Sequence, residues 1–292
     1  MITQDQIDYF AENGYLRYGK VLEQEEVEAL RTALDNVIAV EMAGGDDSEI
    51  EFKFGHRRGD ESNEEANRPR ILTQYVNMWK REPIYERLLH HPEIAGAACA
   101  LLDSPRVRLW HDHIISKPPF DNGHFRYHQD FYNWPLLEPR IVTCWIALDD
   151  ATPENGCMHV VPGSHRDPRF GLESYAAELK ARAAAEAEGR EWEVSEREKM
   201  AYEPASFGRP VALKAGECMF HHSLNFHATP ANVTERQRRA HVIIYMAEGV
   251  HARLDQAPNH PLIPNFRVKD GEELVGSDFP LARPEEERWR ID

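Results

Sequence analysis

His128 and Asp130 stand two positions apart in the run Tyr-His-Gln-Asp-Phe-Tyr. On a strand, side chains two apart share a face, so this pair can offer one imidazole nitrogen and one carboxylate oxygen to a single ion. A third ligand must come from elsewhere in the fold. His227, in Ser-Leu-Asn-Phe-His-Ala-Thr, follows an apolar run and precedes a turn, and it is the candidate. Two histidines and one carboxylate on one face of an ion leave other positions open, which suits iron(II) that activates dioxygen. In a chain with 15 histidines such a triplet arises easily by chance, so the surrounding residues must carry the assignment. Downstream of His227 stands Arg238, beside Arg239, in a basic run Glu-Arg-Gln-Arg-Arg. A guanidinium close to the metal can clamp the distal carboxylate of 2-oxoglutarate bidentately. The ordinary alternative is a surface charge in a turn.

Other residues with chemical potential point elsewhere. His111 and His113 have the spacing for a second metal site, but they are expected to line the pocket or the strand surface. His221 and His222 are adjacent and diverge on a strand. His165, in Pro-Gly-Ser-His-Arg, reads as a turn residue. Asn232 opens an Asn-Val-Thr glycosylation sequon, with no secretion signal to support its use. Cys144 and Cys218 lie in apolar runs and read as buried free thiols, and no closely spaced cysteine pair forms a zinc or redox motif.

The elements that must position these residues follow from periodicity. Thr3 with Gln6 forms a capping box before a helix that Asn13-Gly14 ends, and a short apolar stretch, Tyr15 to Val21, follows. Val27, Leu30, Leu34, Val37 and Ile38 have helical spacing up to Gly44-Gly45. Residues 44–70 read as a mobile surface loop, and residues 83–102 as two helical pieces broken near Pro92. From Val107 the pattern changes to short β-type runs separated by turn residues, the signature of an antiparallel barrel or jelly roll. The expected fold is therefore mainly β with flanking helices. It is one domain over residues 1–292: a mainly helical part (1–106), a jelly-roll core (107–250) and a C-terminal tail (251–292) that wraps the surface. A helical segment, 172–200, interrupts the core. The ordinary reading of the segment is a solvated surface helix on the outside wall; the sharper one, from Leu172, Tyr175 and Leu179 on one face and Trp192 as a further apolar group, is a lid over the barrel mouth.

Composition limits the partners. Net charge is −16, from 34 basic and 50 acidic residues, which disfavours nucleic acid and anionic membrane surfaces. No apolar run approaches membrane-spanning length and the N-terminus does not read as a secretory signal, so a cytoplasmic protein, monomer or homodimer, acting on a small-molecule substrate is expected.

Three blocks together resemble the phytanoyl-CoA dioxygenase family of iron(II)/2-oxoglutarate oxygenases: YHQDFYNWP, TCWIALDDATPENGCMHVVPGSHR and FHATPANVTERQRRA. The resemblance extends from the N-terminal helices to about residue 248. It implies a double-stranded β-helix (jelly-roll, cupin-like) core. His128, Asp130 and His227 match the iron ligands and Arg238 the oxoglutarate arginine. Thr229 falls where the family often has serine, Trp145 matches a tryptophan beside the cosubstrate, and Gln74 aligns with a lysine that helps bind oxoglutarate in some members. Iron(II), 2-oxoglutarate and dioxygen are the implied cofactor and cosubstrates, and succinate and carbon dioxide the implied coproducts. Related halogenases lack the carboxylate ligand, so Asp130 implies hydroxylation or desaturation rather than halogenation. Two rival readings are a non-catalytic barrel that binds or senses a small ligand, and a metal-dependent hydrolase, which gives Arg238 no role.

Overall fold

The structure, a computed structural model, describes residues 1–42, 53–55, 72–192, 194–265, 267–283 and 289. The chain begins with α1 (Gln4–Asn13), β1 (Tyr15–Lys20), α2 (Gln24–Met42), β2 (Lys53–Gly55) and β3 (Thr73–Val76). Three helices follow, α3 (Met78–Arg81), α4 (Pro83–Leu88) and α5 (Pro92–Leu101), and then β4 (Val107–Lys117) and β5 (Phe125–His128). The remainder is β6 (Ile141–Ala147), β7 (Met158–Val160), α6 (Leu172–Ala187), α7 (Glu196–Met200), β8 (Arg209–Val211), β9 (Glu217–His222), β10 (His227–Thr229) and β11 (Arg238–Ala247). The capping box of Thr3 and Gln6 is formed, and left-handed Gly14 ends α1. The break at Pro92 separates α4 from α5.

Two antiparallel sheets form the jelly roll, ordered β1-β9-β6-β11-β4-β3-β2 and β5-β10-β7-β8. The strands β6 and β11 alternate between two cores. In β11, Ala240, Val242, Ile244 and Met246 face the barrel interior, whereas Ile243, Tyr245 and Ala247 face the helices. In β6, Trp145 and Ala147 point inward, and Cys144 and Ile146 outward. Both faces are covered, which is why these strands read as continuous apolar runs. Cys144 and Cys218 are buried free thiols in the helix-side core.

Some sequence expectations need adjustment, and one falls largely outside the described residues. The apolar stretch after α1 is a strand, β1, which pairs with β9 at the sheet edge, and β2 and β3 extend the same sheet from its other side. The helical N-terminal part therefore supplies three strands to the core. The expected loop at 44–70 lies outside the described residues apart from β2. The tail does more than wrap the surface: Leu262, Leu274, Phe279 and Ala282 are buried, and residues 256–262 line the barrel cavity.

The segment at 172–200 is helical but does not form a lid. None of its described residues lines the cavity, and Leu172 and Leu179 are exposed. Tyr175 alone of that apolar face finds a partner, stacking on Tyr132 at 3.8 Å, with the Arg197 guanidinium over both rings. Replacing the segment with a short Gly-Ser loop is expected to change the coupling of oxoglutarate decarboxylation to product formation by no more than about threefold, since its aromatic contact reaches the cavity wall indirectly, through Tyr132. Paired measurements of succinate and product test this; full uncoupling in a folded variant would restore the lid.

Candidate active site

The triad is assembled by two strands of the smaller sheet. His128 closes β5 and His227 opens β10, and the two are direct register partners, with ring centroids 4.3 Å apart. Asp130 is not on the strand. It begins a 3-10 turn over Asp130–Asn133, after an extended Gln129 (φ −119°, ψ 131°) that keeps its side chain on the same side as His128. The two-residue geometry expected of a strand thus persists through one extended residue beyond its end. Gln129 itself is buried, and its amide donates to the Phe170 and Leu224 carbonyls, which holds this corner.

The ligand atoms of His128, Asp130 and His227 lie within 4.8 Å of one another. The Nδ1 of His128 lies 2.7 Å from the Arg126 carbonyl, and that of His227 lies 2.9 Å from the Asn225 carbonyl. A carbonyl only accepts, so each Nδ1 carries the proton and each Nε2 presents its lone pair to an ion. Asp130 Oδ1 is 3.3 Å from His128 Nε2 and 3.7 Å from His227 Nε2. Burial pushes the Asp130 carboxyl up, but the surrounding imidazoles of His227, His128 and His221 outweigh it and hold it well below the usual carboxylate range. Burial depresses His227 to about 3, which keeps its imidazole neutral and available as a ligand. This donor set fits iron(II): one anionic oxygen, two imidazole nitrogens, and a cavity on the remaining side.

His221 was set aside in the sequence, yet its Nε2 donates to Asp130 Oδ2 at 3.1 Å. The expected divergence from His222 holds: His222 turns away to pack near Phe10 and His165. The signal was present, because Met219 and His221 share a face of β9 and Met219 belongs to the barrel core. A donor on the second carboxylate oxygen fixes the orientation of the first. His221→Phe, which keeps the ring but removes the N–H, is expected to weaken metal affinity by about 10- to 100-fold. Chelator competition measures this; unchanged affinity would remove His221 from the site.

Arg238, at the start of β11, faces the barrel interior, whereas Arg239 points outward to Asp149 at 2.9 Å and Asp35 at 3.3 Å. Arg238 is fully buried, and none of its three nitrogens has a hydrogen-bond partner. Its guanidinium lies 5.5 Å from the Trp145 ring. Burial pulls its pKa down to about 10, so it remains charged at neutral pH. Such a charge without a partner is costly unless a ligand supplies the anion. Lys117, its register partner on β4, is also fully buried and donates to the Thr229 hydroxyl at 3.1 Å and to the Pro230 carbonyl. The Trp145 indole N–H and the Thr143 hydroxyl, both buried at the cavity wall, also lack partners. These unmet donors fit the distal carboxylate of 2-oxoglutarate.

Trp145, Thr229 and Gln74 all line a cavity of about 530 Å³ that contains the triad. Gln74 comes from β3, on the far side of β4 from β11. His111 and His113 line the cavity as well and, among the described residues, do not join a second metal cluster. His165 sits in a turn over Ser164–Arg166. Asn232 is buried, with its amide on the Lys117, Pro118 and Arg236 carbonyls, so it is a structural turn residue in this fold. Among the described residues, no helix is long and apolar enough to cross a membrane.

Comparison with known proteins agrees with this geometry. Residues 10–240 match the family model for phytanoyl-CoA dioxygenase. The methylphosphonate hydroxylase of Gimesia maris is 27% identical over 250 residues, covering 85% of this chain and 83% of that protein. The crystal structure of the non-haem α-ketoglutarate-dependent carbocyclase SnoK, from nogalamycin biosynthesis, superposes with a TM-score of 0.70 at 25% identity, over 96% of both chains. The epimerase SnoN, solved in complex with Fe3+, α-ketoglutarate and nogalamycin RO, shares the fold with a TM-score of 0.69 at 24% identity, over 96% of this chain and 98% of SnoN. With the family model spanning most of its length, and with a His-Asp-His cluster inside the jelly roll, this chain belongs to the phytanoyl-CoA dioxygenase family of iron- and 2-oxoglutarate-dependent dioxygenases.

Proposed function

We propose that this dioxygenase hydroxylates an aliphatic C–H bond of a small organic substrate. One oxygen atom of dioxygen enters the product and the other enters succinate, as 2-oxoglutarate loses carbon dioxide. His128, Asp130 and His227 are the metal ligands in this reading. Arg238, backed by Trp145 and Thr229, receives the distal carboxylate of 2-oxoglutarate, and Gln74 borders the same space. Bound iron supplies the activation of dioxygen, with 2-oxoglutarate as the source of two electrons. The protein's part is to orient the reactants and to exclude water. The observation that carries the reading is Arg238: a fully buried cation without a hydrogen-bond partner beside a cavity that also holds the triad. Retention of Asp130 as a ligand leaves no vacancy for a halide and supports hydroxylation. The methylphosphonate substrate named for the Gimesia maris relative supports a small substrate.

A screen of small aliphatic acids, phosphonates and amino acids, reading succinate above the substrate-free background, tests the proposal. The expected hit shows one succinate per product, with a single labelled oxygen from 18O2 in each. Substrate-dependent succinate without oxygen in the product would replace hydroxylation by desaturation or another oxidation. Absence of 2-oxoglutarate binding would overturn the reading.

A further inference from the structure

The cavity wall on the β4 side has a construction that the metal and cosubstrate sites do not use. The register of β4 against β11 slips between Ile244 and Tyr245, which face His111 and Leu109, so Trp110 is an extra residue in the ladder. Bulges of this kind re-aim side chains next to functional sites. Here the slip places Trp110 in the barrel-side core and His111 on the cavity wall. His113, two residues on, also lines the cavity, and the His111 and His113 rings stack at 5.4 Å and 27°. His111 is buried, and its Nδ1 lacks a hydrogen-bond partner.

A third imidazole comes from the C-terminal tail. His260 packs 6.4 Å from His111 and 5.8 Å from Trp110. Its Nδ1 accepts from the Leu262 backbone N–H at 3.3 Å, so the hydrogen of the neutral ring is on Nε2 as a donor. The tail is held there by Gln256, whose amide donates to the Phe131 and Trp134 carbonyls in the turn that begins with Asp130. One anchor thus links the third imidazole to the metal-ligand loop. Among the described residues, Asp130 is the one carboxylate that lines the cavity, and no lysine or arginine does. Three imidazoles, of which His111 is buried and His113 and His260 are half-buried, thus converge on one wall with N–H groups to offer.

We propose that His111, His113 and His260 form a subsite for an oxyanion group of the substrate, a carboxylate or a phosphonate, which holds the substrate's aliphatic part in the cavity shared with the triad. The inference rests on the functional reading above. The subsite also offers local donors to an anionic substrate of an acidic protein: net charge repels at long range, while a few aligned N–H donors of neutral imidazoles decide binding at contact.

The test is calorimetric binding, without dioxygen, to protein loaded with iron(II) and 2-oxoglutarate. Methylphosphonate, propanoate and the uncharged ester methyl acetate are the probes. One anion is expected to bind at a single site while the ester does not, and the tighter of the two anions identifies the group. His111→Phe and the milder His113→Gln should each weaken that anion by about tenfold or more. Affinity for 2-oxoglutarate should change by less than about twofold, because the two sites are separate. Undiminished anion affinity in variants that melt like the parent overturns the proposal, as does absence of anion binding to the loaded protein. It also falls if 2-oxoglutarate displaces the anion and Arg238→Ala abolishes its binding, since the anion then sits in the cosubstrate cradle. If 2-oxoglutarate itself does not bind, but the anion binds and is lost in the histidine variants, the functional reading fails and the subsite stands.

Discussion

Asp130→Ala is expected to abolish iron loading and turnover together. Asp130 is the triad's one anionic ligand, and the His128, His221 and His227 imidazoles all converge on its carboxylate. Removing one partner of a buried charged set costs about 3 to 5 kcal/mol, or roughly 150- to 5000-fold in affinity. The loss should exceed that of His221→Phe, which removes only the donor that orients the carboxylate. Anaerobic iron titration and succinate formation measure the two effects separately. Near-parental iron affinity with full turnover would sink the triad assignment. Asp130→Glu provides a control, because it keeps the charge but shifts the oxygen by one methylene, and it should bind iron better than the alanine variant.

Arg238→Met should remove 2-oxoglutarate binding while leaving the protein folded and able to bind iron. The loss of charge-assisted hydrogen bonds is expected to raise the dissociation constant of 2-oxoglutarate by about 30- to 1000-fold, equivalent to roughly 2 to 4 kcal/mol. Stability gives a second readout with the opposite sign. In the absence of cosubstrate the guanidinium is buried without a partner, so its replacement by an apolar side chain of similar length should be neutral or stabilising. In the parent, 2-oxoglutarate at about one hundred times its dissociation constant should stabilise by about 2.7 kcal/mol, and this increment should vanish in the variant. Arg239→Ala is the control. Its side chain is committed to Asp149 and Asp35, so cosubstrate affinity should hold. If Arg239→Ala loses cosubstrate and Arg238→Met does not, Arg238 is not the clamp.

Both expectations depend on the same physical feature, a pair of polar sites inside an apolar barrel. The triad has its own counter-charges and a hydrogen bond behind each imidazole, so it is preorganised before any ion arrives. The cosubstrate end is built in the opposite way. Lys117 is satisfied by Thr229 and Pro230, whereas Arg238 is left with none of its donors met. Such an asymmetry favours an incoming carboxylate at Arg238 in particular, because that is where a new hydrogen bond replaces nothing.

The sequence by itself determined the local terms of this protein. Thr3, Gln6 and Gly14 carry the first helix because capping depends on neighbours within a few positions. The apolar runs of β6, β9 and β11 announce strands because their side chains must be covered on both faces. The spacing of His128 and Asp130 survives even though Asp130 lies past the strand end, since one extended residue suffices to keep the two on one side. The family blocks place His227 and Arg238 in the same site, which periodicity alone does not do. Only the tertiary structure decided what depends on packing across long separations. Arg238 faces the interior and Arg239 the helix-covered outer face because β11 lies between β4 and β6 in a fixed register, and a shift by one residue would exchange them. His221 became a partner of Asp130 because β9 and the turn after β5 converge, and adjacency to His222 carries no information about that. The 172–200 segment has helical composition, but composition does not say which surface a helix meets; its Tyr175 meets Tyr132 outside the cavity. The tail has too little periodicity to announce a role, yet Gln256 finds two carbonyls beside the metal loop and carries His260 into the wall. Hydrogen bonds between residues more than a hundred positions apart leave no trace in local pattern, and these bonds are what close the site.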